Sequence, residues 1–196
     1  MFAFGVFERT PPREKVRERL IREIIDHELV MFRAASATDG SSMCLERRKT
    51  FRKMRWMLFS VMQTEFLESY LADLKAAKQD GRNLLVEKNA RMDDLTPPVS
   101  GDMETIGKIV DVEAHWMSDA SKAYPWFSPE NPGLFRRNQC AELKTFSPKT
   151  VSLYADRVHE AREKGENLAL LRFENITKKI GVASLAKLKR RVSRHQ

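Results

Sequence analysis

The stretch Ile21-Arg-Glu-Ile-Ile-Asp-His-Glu28 recurs 85 residues later as Ile106-Gly-Lys-Ile-Val-Asp-Val-Glu113. Five further positions recur with a shift of 84 residues: Tyr70, Ala77, Gly81, Asn83 and Leu84 correspond to Tyr154, Ala161, Gly165, Asn167 and Leu168. One insertion or deletion between the two blocks reconciles the shifts. We therefore predict an internal duplication whose two copies pack about an approximate two-fold axis, with a crevice between them.

Nearly every periodic segment has the apolar spacing of a helix. The first copy predicts helices from Pro12 to about Phe32, at 45–61, 65–79 and from Asn83 to 91, with a break at 34–42. The second copy predicts helices at 103–120, from Ser147-Pro148 to 164, from Asn167 to 178 and a short one after Ser184, with an irregular stretch at 124–133. No alternating strand pattern is present, so the predicted fold is an all-α helical bundle.

The length of 196 residues fits one all-helical domain covering 1–196. Within it we place the first repeat at about 14–92 and the second at about 102–180. Residues 93–101, which include Pro97-Pro98, form the predicted linker, and residues 181–196 form a basic C-terminal tail.

Composition excludes several classes of protein. No apolar run approaches the roughly 20 residues of a membrane span. The apolar start Met1–Phe7 lacks the basic lead and cleavage site of a secretory signal. We therefore expect a cytoplasmic protein in which Cys44 and Cys140 are reduced thiols.

The net charge of +8 is concentrated in two basic clusters, one at 47–55 and one at 178–194. A basic surface is a possible nucleic-acid partner site, but such sites usually interleave aromatics with the basic residues or carry a known module. The C-terminal cluster has neither feature and is interpreted as a solvated tail. Nucleic acid is therefore the disfavoured partner.

Several strings resemble a bacterial family catalogued as domain of unknown function 4125. They are Leu67-Glu-Ser-Tyr-Leu-Ala-Asp-Leu-Lys-Ala-Ala-Lys-Gln-Asp-Gly-Arg-Asn-Leu-Leu-Val-Glu-Lys88, Thr50-Phe-Arg-Lys-Met-Arg55, Ala141-Glu-Leu-Lys-Thr-Phe-Ser147 and Gly165-Glu-Asn-Leu168. The resemblance covers roughly residues 18–188 and implies no particular activity. Some relatives are joined to, or lie beside, a nucleotidyltransferase-like domain. The resemblance thus implies a substrate-binding or partner role, played here in trans.

This chain departs from the family pattern at three positions. Gln63 stands where the family usually has a serine N-cap, Asn89 replaces an aromatic residue, and Leu58 replaces a polar one. These departures fall mostly in the first copy. They argue against two equivalent sites.

Glu28 and Glu113 are equivalent in the repeat and lie among apolar helix positions, where acidic residues are rarely buried unless paired. In one interpretation both carboxylates face a single cavity with raised pKa values and perform acid–base chemistry. In the other, which we favour, each pairs with an arginine or caps a loop amide. With Glu142 they are the candidate catalytic residues of an enzyme without a cofactor.

Arg55 lies between Met54 and Trp56, so its stem is expected to be partly buried. A partly buried guanidinium requires a carboxylate or a phosphate. We predict that Arg55 shares a polar site with at least one of Glu28, Glu113 and Glu142. The candidate ligand-binding residues are therefore Arg55, Glu28, Glu113, Glu142, Lys88 and Cys44, although a buried apolar thiol is the favoured interpretation of Cys44.

Neither metal chemistry nor a ribonuclease motif is supported. Asp156-x-x-His159 has no counterpart in the other copy, so the ligand set of a di-iron bundle is incomplete and no metal is expected. Arg22 and His27 have the spacing of a class of helical ribonucleases, but residues five apart diverge on a helix. We favour a surface location for both.

Three functions remain. The first is a binding domain for a small anionic ligand, or for a nucleotidyltransferase-like protein, in a polar cavity at the pseudo-dyad. The second is a small enzyme that uses a buried glutamate as general acid or base. The third is nucleic-acid binding through the basic clusters, which predicts a steep salt dependence.

Overall fold

The computed structural model describes residues 12–38, 45–92, 102–125, 131–182 and 184–187, and every regular element in these ranges is helical. The helices are α1 (Pro12–Thr38), α2 (Leu45–Phe59), α3 (Thr64–Gln79), α4 (Leu84–Met92), α5 (Met103–Ala123), α6 (Pro132–Leu143), α7 (Pro148–Glu163) and α8 (Leu168–Lys179). A last helical turn covers 185–187. The predicted all-α class is confirmed, and none of the described helices is long and apolar enough to cross a membrane.

The helix boundaries follow the predicted cap residues. Asn83, Ser147 and Asn167 each accept a hydrogen bond from a backbone N–H in the first turn of the helix that follows. Gly81 and Gly165 end α3 and α7 with φ values of 67° and 65°, a left-handed conformation that favours glycine.

Three predicted boundaries are wrong, and one helix was not predicted. The break expected at 34–42 begins too early, because α1 continues to Thr38. Conversely, α2 ends at Phe59 rather than 61, because the chain turns there, with Met62 N–H bonded to Phe59 O. The helix predicted to end at 120 continues to Ala123. No helix was predicted at 132–143, where α6 lies; Asn131 caps this helix and Pro132 occupies its first turn. The predicted linker 93–101, Cys44 and most of the basic tail lie outside the described residues.

The helices pack in two groups that meet through three contacts. In the first half, α1 packs against α2, α3 and α4; in the second half, α5 packs against α6, α7 and α8. The contacts between the halves are α3 with α7, α2 with α8, and α4 with α6. In each half three helices therefore face a helix of the other half, whereas α1 and α5 pack mainly against helices of their own half.

Aromatic rings fill the contact between α3 and α7. Phe66 packs edge-on against Tyr154 at a centroid distance of 5.5 Å, and Tyr70 contacts Phe146 at 4.7 Å. The core around these rings contains the buried side chains of Ile24, Leu29, Phe66, Tyr70, Leu71, Ile109, Trp116, Tyr154, Val158 and Leu168. Leu153 lies at the edge of the core and is only half-buried. The large rings hold the two halves at a fixed separation, next to both buried glutamates.

Candidate functional site

The first polar cluster surrounds Glu28, whose side chain is fully buried on α1. Arg55 of α2 donates from Nε to Glu28 Oε2 at 2.7 Å and from Nη2 to Glu28 Oε1, which gives a bidentate pair. Tyr70 of α3 donates its hydroxyl to Glu28 Oε1 at 2.8 Å. Three helices of the first half thus converge on one carboxylate.

The second half contributes Glu142 of α6 to the same cluster. Arg55 Nη1 donates to Glu142 Oε1 at 2.7 Å, and Lys88 Nζ of α4 donates to Glu142 Oε2 at 2.7 Å. The first cluster, defined as Glu28, Arg55, Tyr70, Lys88 and Glu142, therefore contains two cations and two carboxylates. We predicted that Arg55 shares a polar site with at least one of three glutamates. In the first cluster it pairs with two of them, Glu28 and Glu142.

Burial and neighbouring charges shift the protonation equilibria of this cluster. Burial works to raise the pKa of Glu142, but the charges of Arg55 and Lys88 outweigh it and hold that pKa at about 2. Burial raises the pKa of Glu28, against the effect of Arg55. Burial and the nearby Glu28 carboxylate raise the pKa of Tyr70 well above its ordinary value, so its hydroxyl keeps its proton and remains a donor.

The second cluster lies around Glu113 of α5, which is 1% exposed. Arg172 of α8 donates from Nη1 and Nη2 to the two oxygens of Glu113 at 2.6 and 2.7 Å. Tyr154 of α7 donates to Glu113 Oε1 at 2.8 Å, and Gln139 Nε2 of α6 lies 3.3 Å from the Tyr154 hydroxyl. The second cluster, Glu113, Gln139, Tyr154 and Arg172, is built only from helices of the second half.

Glu28 and Glu113 therefore belong to different clusters. The interpretation in which both face one cavity is wrong, because each carboxylate is engaged by its own arginine and its own tyrosine. The sequence analysis missed Arg172 and Gln139. The shift of 84 residues would have found both, since it aligns Arg172 with Lys88 and Gln139 with Arg55. The same shift places Leu58 opposite Glu142.

The first cluster borders little empty space. A cavity of about 10 Å³ lies beside Glu142, with Leu58, Phe59 and Phe146 among its walls. That volume holds at most one water molecule. A ligand at the cluster would have to displace a paired side chain.

A cleft of about 1010 Å³ lies between the two halves. Its first-half wall is the N-terminal part of α1 and residues 60–65, which form the turn and the start of α3. Its second-half wall comes from α7 and α8, including Arg157, Glu160 and Asn175. The cleft combines the size of a ligand site with polar groups from both halves.

Two arginines hold the turn at the base of this cleft. Arg17 of α1 donates from Nη2 to Ser60 O, and Arg157 of α7 donates from Nε to Val61 O at 2.9 Å. Arg157 is also paired with Glu166 at 3.1 Å. Arg17 differs, because it makes no ion pair among the described residues, and its Nε is buried without a hydrogen-bond partner there.

The turn leads directly into α3, whose first residues line the cleft. Gln63 is the N-cap, but its side chain makes no capping bond and instead donates to Glu160 Oε2. The first-turn amides of α3 are therefore not satisfied by a side chain. Unsatisfied amides and the helix dipole together attract negative charge to this end of a helix.

At the corresponding start of α7, side chains of the protein itself cap the helix. Ser147 caps the helix by accepting from Thr150 N, and Pro148 has no N–H at the first helical position. Asp73 of α3 accepts from Ser147 N at 3.0 Å and from Thr150 Oγ1 at 2.7 Å. A carboxylate of the protein itself thus occupies the place that is left open at α3.

The remaining sequence candidates lie elsewhere. His159 is exposed and lies 3.8 Å from Glu163, while Arg22 is exposed and His27 half-buried on α1. Cys140 is a free thiol packed against the core. In the described part of the chain, no group of three or more His, Cys, Asp and Glu side chains is arranged to hold a metal ion.

Comparison with known proteins places the chain in a family. Residues 18–190 match the family described as "Protein of unknown function (DUF4125)", so the chain belongs to it. The resemblance noted in the sequence is confirmed. Neither the curated proteins nor the solved structures contain a match to this chain.

Proposed function

We propose that this member of the DUF4125 family is a helical binding module that holds a small anion in the cleft at the start of α3. The anion is a phosphate or carboxylate group, free or part of a larger ligand. The proposal keeps the binding role inferred from the sequence. It moves the ligand from the first cluster to the neighbouring cleft between the halves.

Arg17 is the observation that carries the proposal. The Arg17 guanidinium makes no ion pair among the described residues, and a guanidinium without a carboxylate partner favours an anionic ligand. Arg17 shares the cleft with the first turn of α3, whose amides have no side-chain cap. An anion placed between them would accept from both, which is the arrangement that guanidinium groups and helix N-termini favour.

The other charged side chains of the cleft pair with one another or are exposed to solvent, so Arg17 and the start of α3 are available to a ligand. Arg157, Lys164 and Gln63 engage the carboxylates of Glu160 and Glu166. Glu14 and Glu65 are exposed, where water screens their charge. The local field at the base of the cleft is therefore set by Arg17 and the helix end.

In this proposal the two buried clusters have a structural role and hold the helices of the module in place. Both contain paired charges in close contact, which fix the relative positions of α1, α2, α3 and α6 and of α5, α7 and α8. A general-base role is less well supported for Glu142, because a carboxylate with a pKa of about 2 is a weak base. Glu28 has no neighbouring cavity that would admit a substrate.

We also propose that the chain is an internal duplication with approximate two-fold pseudo-symmetry. The supporting contacts recur at the shifts found in the sequence. Asn83 Nδ2 donates to Met31 O at 2.8 Å, and Asn167 Nδ2 donates to Trp116 O at 3.0 Å. The Glu28–Tyr70 and Glu113–Tyr154 hydrogen bonds are both 2.8 Å long. The contacts of α2 with α8 and of α6 with α4 exchange under the same operation.

The anion site is tested by calorimetric titration of the full chain with inorganic phosphate and pyrophosphate. We expect saturable binding that Arg17→Met weakens about ten- to hundredfold, the usual effect of losing a hydrogen bond to a charged group. Arg19→Met is the matched control, because Arg19 is an exposed arginine on the same helix that does not line the cleft.

Melting curves of all three proteins check that the folds are equally intact. Binding that is absent from the wild-type protein, or weakened equally by both substitutions, would exclude the proposed site.

A further inference from the structure

Helix α2 carries far more positive charge than any other described helix. Its 15 residues include six basic side chains and one acidic side chain, Glu46. The protein has a net charge of +8, so this one helix accounts for most of the excess. A concentration of one sign on a single element acts on partners of the opposite sign.

Only one side of α2 is used for packing. Phe51 stacks on Phe32 of α1 at 4.6 Å between ring centroids, and Arg55 enters the first cluster. Arg47, Lys49, Arg52 and Lys53 are all exposed. The basic side chains therefore project from the outer face rather than stabilising the interior.

Carboxylates neutralise this face only partly. Lys49 pairs with Glu46 at 3.0 Å, and Arg52 pairs with Asp26 of α1. Within the described part of the chain, Arg47 and Lys53 make no ion pair, and the pairs that do form are exposed and weak.

The basic face continues onto α8. Lys179 Nζ lies 3.8 Å from the ring centroid of Trp56, near the C-terminal end of α2. Lys178 lines the same depression as Lys179 and Trp56, together with the carboxylates of Glu14 and Glu18. Lys179 pairs with Glu18 at 3.7 Å, and both side chains are partly exposed. A stripe of positive charge thus runs along α2 and onto the end of α8, and its basic members on α2 and α8 are Lys49, Arg52, Lys53, Lys178 and Lys179.

We infer that this stripe, which we call the basic face, binds the phosphate backbone of nucleic acid without reading its sequence. From Lys49 to Lys53 the helix axis advances about 6 Å, a length over which duplex DNA carries about three or four phosphate charges. Contacts of this kind supply most non-specific binding. The sequence alone disfavoured a nucleic-acid partner. We now favour one, because α2 and α8, which carry the basic residues, are neighbours in the fold.

An anionic membrane fits the face less well. Membrane-surface helices bury a continuous apolar side in the lipid. On the described part of α2, Met54 is the only large apolar side chain that is mainly exposed. A row of charges with little apolar surface matches a polyphosphate chain better than a lipid interface.

Fluorescence anisotropy with labelled 20-base-pair DNA and 20-nucleotide RNA of mixed sequence tests the inference in the full chain. We compare Lys49→Gln combined with Lys53→Gln, one turn apart on the basic face, with Lys108→Gln combined with Lys122→Gln on α5. The α5 lysines are exposed, and each pairs with a carboxylate. The control also replaces two lysines, so it makes the same change in net charge.

Removing two phosphate contacts should weaken binding at low salt at least tenfold and reduce the slope of log K against log salt by about two. The α5 variant should keep the wild-type slope. Equal losses in both variants, an unchanged slope in the α2 variant, or no binding by the wild-type protein would overturn the inference. So would binding to anionic phosphatidylserine vesicles that is as strong as binding to DNA and depends on the same two lysines.

Discussion

The two buried clusters each neutralise a buried glutamate, but they use different helices to do so. Both neutralise a glutamate with a tyrosine and an arginine, but the arginine comes from α2 in the first cluster and from α8 in the second. The position that aligns with Arg172 is Lys88, which contributes to the first cluster, and the position that aligns with Glu142 is Leu58, which carries no charge. The first cluster therefore joins the two halves through Glu142, whereas the second is closed within its own half.

The turns that precede α3 and α7 also differ between the two halves. The turn before α7 satisfies its helix end with Ser147 and Asp73, while the turn before α3 has Gln63 and two arginines bound to its carbonyls. With Gln63 in the place that Ser147 holds before α7, one helix end is left without a side-chain cap. In both comparisons the first half departs from a self-contained arrangement.

The largest expected effect is the loss of the arginine in the closed cluster. Arg172→Met leaves Glu113 buried without a charge partner, which should lower the free energy of unfolding by about 3–5 kcal/mol. Arg55→Met likewise leaves the fully buried Glu28 without a charge partner, while Lys88 still neutralises Glu142, so we expect a loss of similar size. Urea titrations of both variants measure the two losses. A loss below about 1 kcal/mol for Arg172→Met would show that Glu113 is not buried as described, and the same result for Arg55→Met would show this for Glu28.

A pH titration of stability isolates the contact between the halves. Glu142 has a pKa of about 2 in the folded protein against an ordinary value of 4.5. A lowered folded-state pKa contributes stability that is present above pH 4.5 and is lost as pH falls towards 2. This contribution is about 3 kcal/mol. The advantage of the wild-type protein over Glu142→Gln should therefore shrink through that window, as measured by denaturant unfolding at several pH values. A difference that is constant from pH 6 to pH 2.5 would mean that Arg55 and Lys88 do not hold the ionised form.

The two helix ends should respond in opposite ways to matched substitutions. Ser147→Ala removes a cap and should destabilise the protein by about 1 kcal/mol. Gln63→Ser restores the serine at the open end and should stabilise the protein by up to about 1 kcal/mol in the absence of anions. Thermal unfolding in a buffer without phosphate or sulfate measures both. Destabilisation by Gln63→Ser would show that the bond from Gln63 to Glu160 contributes more than the missing cap.

The sequence predicted most of the fold because its signals are local. Caps at Asn83, Ser147 and Asn167 and left-handed glycines at 81 and 165 act within one turn of chain, so they can be read without the tertiary structure. The helix ends at Phe59 and Thr38 were misplaced by a few residues. Helix α6 was not predicted at all, because the prolines before it suggested an irregular stretch.

The site was predicted in part, and the reason is again physical. Arg55 in an apolar helix had to find a carboxylate, and the repeat identified Glu28 as a buried one. Which arginine serves Glu113 depends on how α8 packs against α5, and the sequence does not give that packing. The cleft could not be predicted, because its wall is assembled from α1, α7 and α8, which are far apart in the chain.

A two-dimensional ¹H–¹⁵N NMR titration of the full chain with inorganic phosphate tests the anion site most directly. We expect saturable shifts of the Thr64 and Glu65 amides, which begin α3, and of the Arg17 side-chain N–H groups. The Thr64 and Glu65 resonances should stop responding in Gln63→Ser, where the new hydroxyl competes for the amides. Shifts of equal size at Lys149 and Thr150, or no saturable shift at Thr64 and Glu65, would contradict the claim that the start of α3 is an anion site.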